Sequence, residues 1–337
     1  MEQTLGSITH YLNLRANESL ADGFQPAWLP IEFERSRVPW AISGSMRARR
    51  ALDSLQENVD GYFFHTTTVA LLGGRHFRSG PAILSTDATP LNKATMRSAY
   101  GLKEQSRLSA RLKTAVYRRV FRQAAGFVAW SEWAKASLVE DYGCAEKDVA
   151  VIPPGIDLDA FAPKAREHDR PRILFVGGDF ARKGGDLLLD VFRKRLRQRA
   201  DLVLVTRATV PAEPGVEVHE GVAPNSAQLR ELYAGCDVFA LPTRADCYSV
   251  ACMEALAAGL PVVTTRVGGI ADIVREGETG HLVDMDDAAA LGDSLEALVT
   301  DASRRVRMAA AARKEAARRF EVRENARRLF EFVRSHC

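Results

Sequence analysis

The chain has 337 residues, 46% of them hydrophobic and 26% charged, which is enough for two globular cores of ordinary size. A net charge of +3 does not point to a nucleic-acid binder, and no apolar run approaches the ~20 residues that cross a bilayer. The five cysteines (Cys144, Cys236, Cys247, Cys252, Cys337) are scattered without a C-x-x-C pair, so neither a disulfide framework nor a zinc site is expected.

In chain order, the opening MEQTLGSITHY is polar and contains glycine, lacking the basic patch and apolar core of a signal peptide. A reduced, cytoplasmic setting is therefore expected. A helical pattern over 45–57 precedes two apolar runs, GYFFHT (61–66) and PAILST (81–86). A basic helix over 102–124 leads to the strand GFVAWS (126–131), a helix over 132–142 and the strand VAVIPP (149–154). The stretch 153–171 holds four prolines and turns polar, which predicts a linker. Beyond it the alternation resumes. Strands are predicted at RILFVGG (172–178), DLVLVT (201–206), DVFALPT (237–243) and PVVTTR (261–266), and helices over 184–199, 225–235, 250–258, 287–299 and 302–334. Short apolar runs with little alternation are the mark of strands buried on both faces. Alternation with helices predicts an α/β protein of two doubly wound parallel sheets, whose ligands bind outside the carboxyl ends of the strands, so two facing domains would make a cleft. The expected domains are 1–160 and 161–315, with a helix over 316–337 packing back toward the first.

The stretch DCYSVACMEALAAGLPVV (246–263) concentrates the chemistry. Ser249 is a good N-cap for the helix after it, Gly259 a good stop, and Pro261 opens the next strand. The helix therefore starts where a strand ends, and its unpaired N–H groups form an anion site. Asp246 and Glu254 place a carboxylate on each side. Alone, such a pair is more often a loop cap and an ion pair. Flanking an anion site, it suits the hydroxyls of a ribose on one side and a hexose on the other, the layout of a nucleoside diphosphate sugar. The DLD (157–159) and DMD (284–286) stretches lie in a linker and before a helix, and are expected to be structural.

The same stretch resembles the acid-x7-acid region of retaining glycosyltransferases of GT-B architecture, family four, with Asp246 where the first Glu is usual. VAVIPPGIDLDAF (149–161), RILFVGGDFARKGGDLLLDVF (172–192) and VVTTRVGGIADIVREGETGHLVD (262–284) resemble further segments of that family, in order and at suitable spacing. The resemblance implies a GT-B fold whose Rossmann-like domains bind the acceptor (1–160) and the donor (161–315). It also implies a hexosyltransferase-like, metal-independent reaction with a UDP- or GDP-sugar as substrate and no required cofactor. It assigns Lys183 to the donor diphosphate. The Arg that often accompanies it is replaced by Gly178-Asp179, leaving Arg182 as substitute. Cys247, Tyr248, Ser249 and Val250 would line the donor, with Glu254 on ribose and Asp246 on the sugar. Gly268-Gly269 would bring backbone N–H groups close to the donor.

In the N-terminal half, residues 1–11 resemble the family's glycine loop and first helix, so this domain is expected to lack its opening strand. Gly6 and Ser7 are the candidates for the phosphate side. ILSTDATP (83–90) places Asp87 where the family often carries a cleft His. Asp87 is the first acceptor-side candidate, with His65 and His10 behind it. Asp87, Lys183 and Asp246 form the expected catalytic set. The acceptor is a saccharide, a lipid-linked molecule or a small molecule. Segment 102–122, with seven basic residues and one acid, is a candidate peripheral contact with the inner face of a membrane, although a solvated helix is the commoner meaning of such a charge run. The rival functions are a non-catalytic sugar-nucleotide-binding protein and a GT-B sugar-nucleotide epimerase. No G-x-G-x-x-G follows a predicted strand, which disfavours a dehydrogenase.

Overall fold

A computed structural model describes residues 1–3, 5–34, 37–55, 59–101, 105–164 and 169–337. In chain order its strands and helices are β1 (Glu2–Gln3), α1 (Leu5–Ala16), β2 (Ile31–Glu32), α2 (Trp40–Asp53), β3 (Tyr62–His65), α3 (His76–Ser79), β4 (Ala82–Thr86), α4 (Pro90–Thr95), α5 (Arg107–Phe121), β5 (Gly126–Ala129), α6 (Glu132–Glu140) and β6 (Val149–Val151). They continue with β7 (Arg172–Val176), α7 (Gly185–Val191), β8 (Asp201–Val205), β9 (Val216–His219), α8 (Ala227–Ala234), β10 (Val238–Leu241), α9 (Val250–Ala257), β11 (Val262–Thr265), β12 (Gly280–Val283), α10 (Ala288–Thr300), α11 (Ala302–Arg319) and α12 (Val322–His336). The chain divides into two compact units. Unit 1 comprises Met1–Arg97, Lys103–Gly155 and Val322–Cys337; unit 2 comprises Ser98–Leu102 and Ile156–Glu321.

Unit 1 is built on a parallel sheet of order β3-β4-β5-β6. Alternate residues of each strand feed opposite cores, as the period of two requires. Leu84, Phe127 and Ala129 pack with Phe64, Tyr117 and Phe121 on one face. Ile83, Val128 and Ile152 pack with Tyr11, Leu14 and the α12 row Ala326, Leu329, Phe330 and Val333 on the other. The opening residues contribute no strand to this sheet. Instead β1 pairs in parallel with β2, Glu2 against Ile31 and Gln3 against Glu32, as a separate pair.

Unit 2 holds a six-stranded parallel sheet of order β12-β11-β10-β7-β8-β9. The middle of its central strands is apolar and fully buried: Ile173, Leu174 and Phe175 in β7, Leu202, Val203 and Leu204 in β8, and Val238 to Leu241 in β10. The two outermost strands escape the sequence reading for one reason. VEVH and GHLV carry charged or polar residues and stay only half-buried at several positions, as suits a sheet edge that must not invite further pairing.

The single helical pattern over 302–334 is two helices. The chain leaves the helix at Phe320, whose side chain is fully buried and whose carbonyl accepts from Ile156 N at 2.7 Å. Glu321 then bridges to Ile156 as a strand residue would. The periodicity survives across this break, which is why the sequence hides it. Asn325 Nδ2 donates to Pro153 O at 3.2 Å and ties the start of α12 into unit 1.

Candidate active site

In unit 2 the strand order reverses at β7. β8 and β9 lie on one side, and β10, β11 and β12 on the other. A parallel sheet opens a crevice at such a switch point, because the connections on either side of it leave toward opposite faces. The loops after β7 (177–184) and β10 (242–249) therefore flank one spot.

Backbone contacts lock these loops together. Gly184 has φ +76°, and a Cβ there would come within 2.0 Å of Pro242 O, so only glycine permits the approach. Arg244 N donates to Arg182 O at 2.8 Å, and Arg182 Nη1 donates to Ala245 O at 2.6 Å. A third loop closes in at Gly268, φ +58°, where a Cβ would meet Asp246 O at 2.2 Å. Gly269 N then donates to Cys247 O at 2.9 Å.

On this frame Lys183 Nζ forms an ion pair with Asp246 Oδ2. Both side chains are largely buried, 16% and 13% exposed. The pair sits in reduced dielectric, where the attraction between its two charges is stronger than in a surface pair. Arg182 is committed differently. Its Nε reaches Asp179 Oδ2 at 2.9 Å and its guanidinium lies 5.1 Å above the Tyr100 ring. It clamps the loop rather than presenting a free cation. Sequence reasoning missed Arg207. Its guanidinium lies over Gly178, where a Cβ would stand 2.9 Å from Nε, and among the described residues it meets no carboxylate. Arg207 follows the carboxyl end of β8, and the pairing of β8 with β7 sets it beside the loop where the expected Arg is absent.

Helix α9 begins where expected. Ser249 Oγ accepts from Cys252 N at 3.3 Å, the first turn leaves free N–H groups, and Gly259 follows the last turn at φ +66°. Cys247 and Tyr248 are buried beneath the loop, with Tyr100 Oη 3.8 Å from Cys247 Sγ, and Val250 is half-buried. Glu254 lies a turn into α9 and turns inward, only 5% exposed, where Tyr233 Oη donates to its Oε2 at 2.9 Å. Burial pushes its carboxyl up to about 7, and the Tyr233 hydrogen bond pulls partly back. Tyr233 itself is fully buried, stacked on Phe239 at 5.8 Å.

In unit 1 the structure separates the candidates. Gly6 and Ser7 lie in the first turn of α1, with Ser7 buried. Asp87 follows β4, partly exposed, with Lys93 Nζ at 3.4 Å. His10 and His65 are not surface groups. Their rings lie 4.9 Å apart against Trp130, at 5.3 and 5.5 Å, and all four ring nitrogens are buried without a hydrogen-bond partner among the described residues. The two acceptor-side candidates thus lie in an aromatic packet. Burial lowers His10 to about 3 and drives His65 well down, helped there by its neighbour His10.

Among the described residues no cluster of three or more His, Cys, Asp or Glu is placed to hold a metal ion. Asp157 caps its own turn, accepting from Asp159 N and Ala160 N at 3.0 Å, and Asp286 pairs with Arg244.

Two parallel α/β units of this kind define the GT-B fold. Sucrose-phosphate synthase from Thermosynechococcus elongatus matches with a TM-score of 0.74 over 90% of this chain and 80% of that one, at 18% identity. Anabaena HepE, solved with UDP and glucose, matches with a TM-score of 0.68 over 91% and 86%, at 16% identity. Residues 14–160 match the family model "Glycosyltransferase Family 4", and residues 170–301 match "Glycosyl transferases group 1". The chain belongs to this family of glycosyltransferases. The D-inositol 3-phosphate glycosyltransferase of Xylanimonas cellulosilytica is 35% identical over 211 residues, 54% of this chain and 50% of that protein. The chain spans about half the length of the curated relatives it matches.

Proposed function

We propose that this chain transfers a hexose-like sugar from a nucleoside diphosphate sugar to an acceptor hydroxyl, with retention of configuration and without a metal. The observation that carries the reading is the Lys183–Asp246 pair at the strand-order switch of unit 2, beside the N-terminus of α9. A diphosphate arriving there takes Lys183 as its counter-charge, together with the first N–H groups of α9, and so releases Asp246 to accept hydrogen bonds from the sugar hydroxyls. Arg182 holds the loop that carries Lys183. Arg207 adds a cation beside Gly178. Glu254 offers a carboxylate to the ribose, with Tyr233 fixing its orientation. HepE, solved with UDP and glucose, supports a UDP-sugar as donor, with GDP-sugar as the alternative.

In the reaction, the bond from the sugar's anomeric carbon to the diphosphate oxygen breaks, and a bond to the acceptor oxygen forms on the same face. The acceptor proton passes to the departing phosphate oxygen. Lys183 stabilises the charge that develops on the diphosphate. Asp87 is the acceptor-side carboxylate of unit 1. The acceptor is a saccharide, a lipid-linked molecule or a small molecule, and the similarity to D-inositol 3-phosphate glycosyltransferases supports the last. Five free cysteines suit a reduced, cytoplasmic setting.

One observation favours a second reading. Arg182, the expected second cation, is bound to Asp179 and Ala245, which suits a protein that holds a sugar nucleotide without turning it over. Calorimetry with UDP and GDP, followed by a donor-consumption assay over an acceptor panel, separates the two. Binding with turnover establishes the transferase. Binding without turnover leaves the non-catalytic reading, and no binding of either nucleotide overturns both.

A further inference from the structure

Helix α5 turns Tyr117, Val120 and Phe121 into the core of unit 1. Its opposite face is apolar as well. Leu108 is 78% exposed, Leu112 66% and Val116 41%. Positions four apart stand above one another, so the three form one continuous stripe on the side of the helix away from the core. A helix that merely covers a sheet places polar residues there.

The charges beside this stripe are of one sign. α5 contains no acidic residue, and Arg107, Arg111, Arg119 and Arg122 are exposed. Among the described residues none of these four meets a carboxylate, whereas the exposed Arg193, Arg199, Arg266, Arg275 and Arg318 of unit 2 each do. Arg118 spends its guanidinium on a backbone carbonyl, Asp141 O, at 3.2 Å from Nε and 2.7 Å from Nη2. Arg111, Arg118 and Arg122 line a groove of about 600 Å³ that runs beside the stripe past Leu91 and Thr114. Of the wider segment 102–122, residues 102–104 lie outside the described residues.

We infer that the outer face of α5 is a seat for an anionic bilayer. Leu108, Leu112 and Val116 enter the boundary between headgroups and acyl chains, and the arginine groove receives lipid phosphates. An apolar stripe edged by arginines that meet no carboxylate among the described residues matches the depth profile of such a surface: hydrocarbon at the centre, anionic headgroups at the margin. A soluble acidic partner would account for the arginines but not for three aliphatic side chains held in water.

The test is flotation of the full chain with vesicles of phosphatidylcholine alone or mixed with phosphatidylglycerol. The chain is expected to float with the mixed vesicles and not with the neutral ones, and to be released as salt rises. Leu108→Ser with Leu112→Ser, and separately Arg111→Glu with Arg122→Glu, should each weaken partitioning about tenfold or more. All four positions are exposed, so melting temperatures should stay unchanged. Equal binding to neutral vesicles, or wild-type partitioning by either double variant, overturns the inference. So does retention on heparin with no vesicle binding, which would assign the face to a soluble polyanion. None of these readouts requires turnover, so they stand or fall apart from the transfer reaction.

Discussion

Each unit buries a titratable centre, and the two respond to pH in opposite senses. Unit 1 encloses the imidazoles of His10 and His65 against Trp130. Unit 2 encloses the carboxyl of Glu254 beneath α9, bonded to Tyr233. Burial favours the neutral form in both, which lowers a histidine and raises an acid. The surroundings differ. Four imidazole nitrogens have no hydrogen-bond partner among the described residues, whereas the carboxyl is given a donor. Unit 1 packs its polar pair among aromatic rings, while unit 2 fixes the orientation of its acid with a hydroxyl donor.

The largest expected effect lies on the acid side. His10 falls from 6.5 in the unfolded chain to about 3 in the fold. Its contribution is complete above pH 6.5 and is lost as pH falls toward 3. By linkage this amounts to about 2 kcal/mol at pH 5 and about 5 kcal/mol at the acid limit. Urea unfolding followed through Trp130, in a variant lacking the other tryptophans, should show this slope. His10→Gln should reduce it, leaving the part that belongs to His65. An unchanged slope in that variant would place the acid sensitivity elsewhere.

Next comes Lys183→Ala. Removing a cation aimed at charge developing on a leaving group costs about 3 to 4 kcal/mol, or 10²–10³ in kcat/KM. The acid limb of stability should not move. An activity loss below tenfold would remove Lys183 from the reaction.

The third effect lies on the alkaline side. Glu254 rises from 4.5 to about 7. Its contribution is complete below pH 4.5 and is lost as pH rises through 7, about 3 kcal/mol in all. Glu254→Gln should therefore be more stable than the parent above pH 7 and should lose that pH dependence, while binding UDP more weakly. Equal stability of the two proteins at pH 8.5 would contradict the burial of this carboxyl.

The contrast between the units also governs what the sequence reveals. In unit 2 the central strands are continuous apolar runs and the loops between them carry Gly184, Ser249, Gly259 and Gly268, whose conformations their residue types announce. The local frame of the candidate site was legible because short-range rules place it: strand end, cap, helix. Glu254's inward turn was not legible, because Tyr233, its partner, lies 21 residues upstream on another helix. Arg207 escaped for the same reason, since only the pairing of β7 with β8 brings it over Gly178. In unit 1 the strands were equally clear, yet the packet that encloses the two histidines was not. A polar residue at a strand's end signals a site only if the surrounding elements leave it open, and α1 closes over His65 by bringing His10 against it.

The smallest effect discriminates best. Tyr233→Phe removes one hydroxyl from the core of unit 2 and should cost about 1 kcal/mol. The hydroxyl's hydrogen bond lowers the Glu254 carboxyl, so its loss raises that group further, and the alkaline edge of stability should move to higher pH. If Glu254 is only a buried acid, nothing else follows. If its carboxylate meets the ribose, ionisation limits binding. UDP affinity at pH 7 should then fall about fivefold and recover as pH rises, along the same shifted curve as the stability edge. A shifted stability edge with an unaltered affinity profile would confine Glu254 to packing and leave Lys183 and Asp246 to carry the donor site alone.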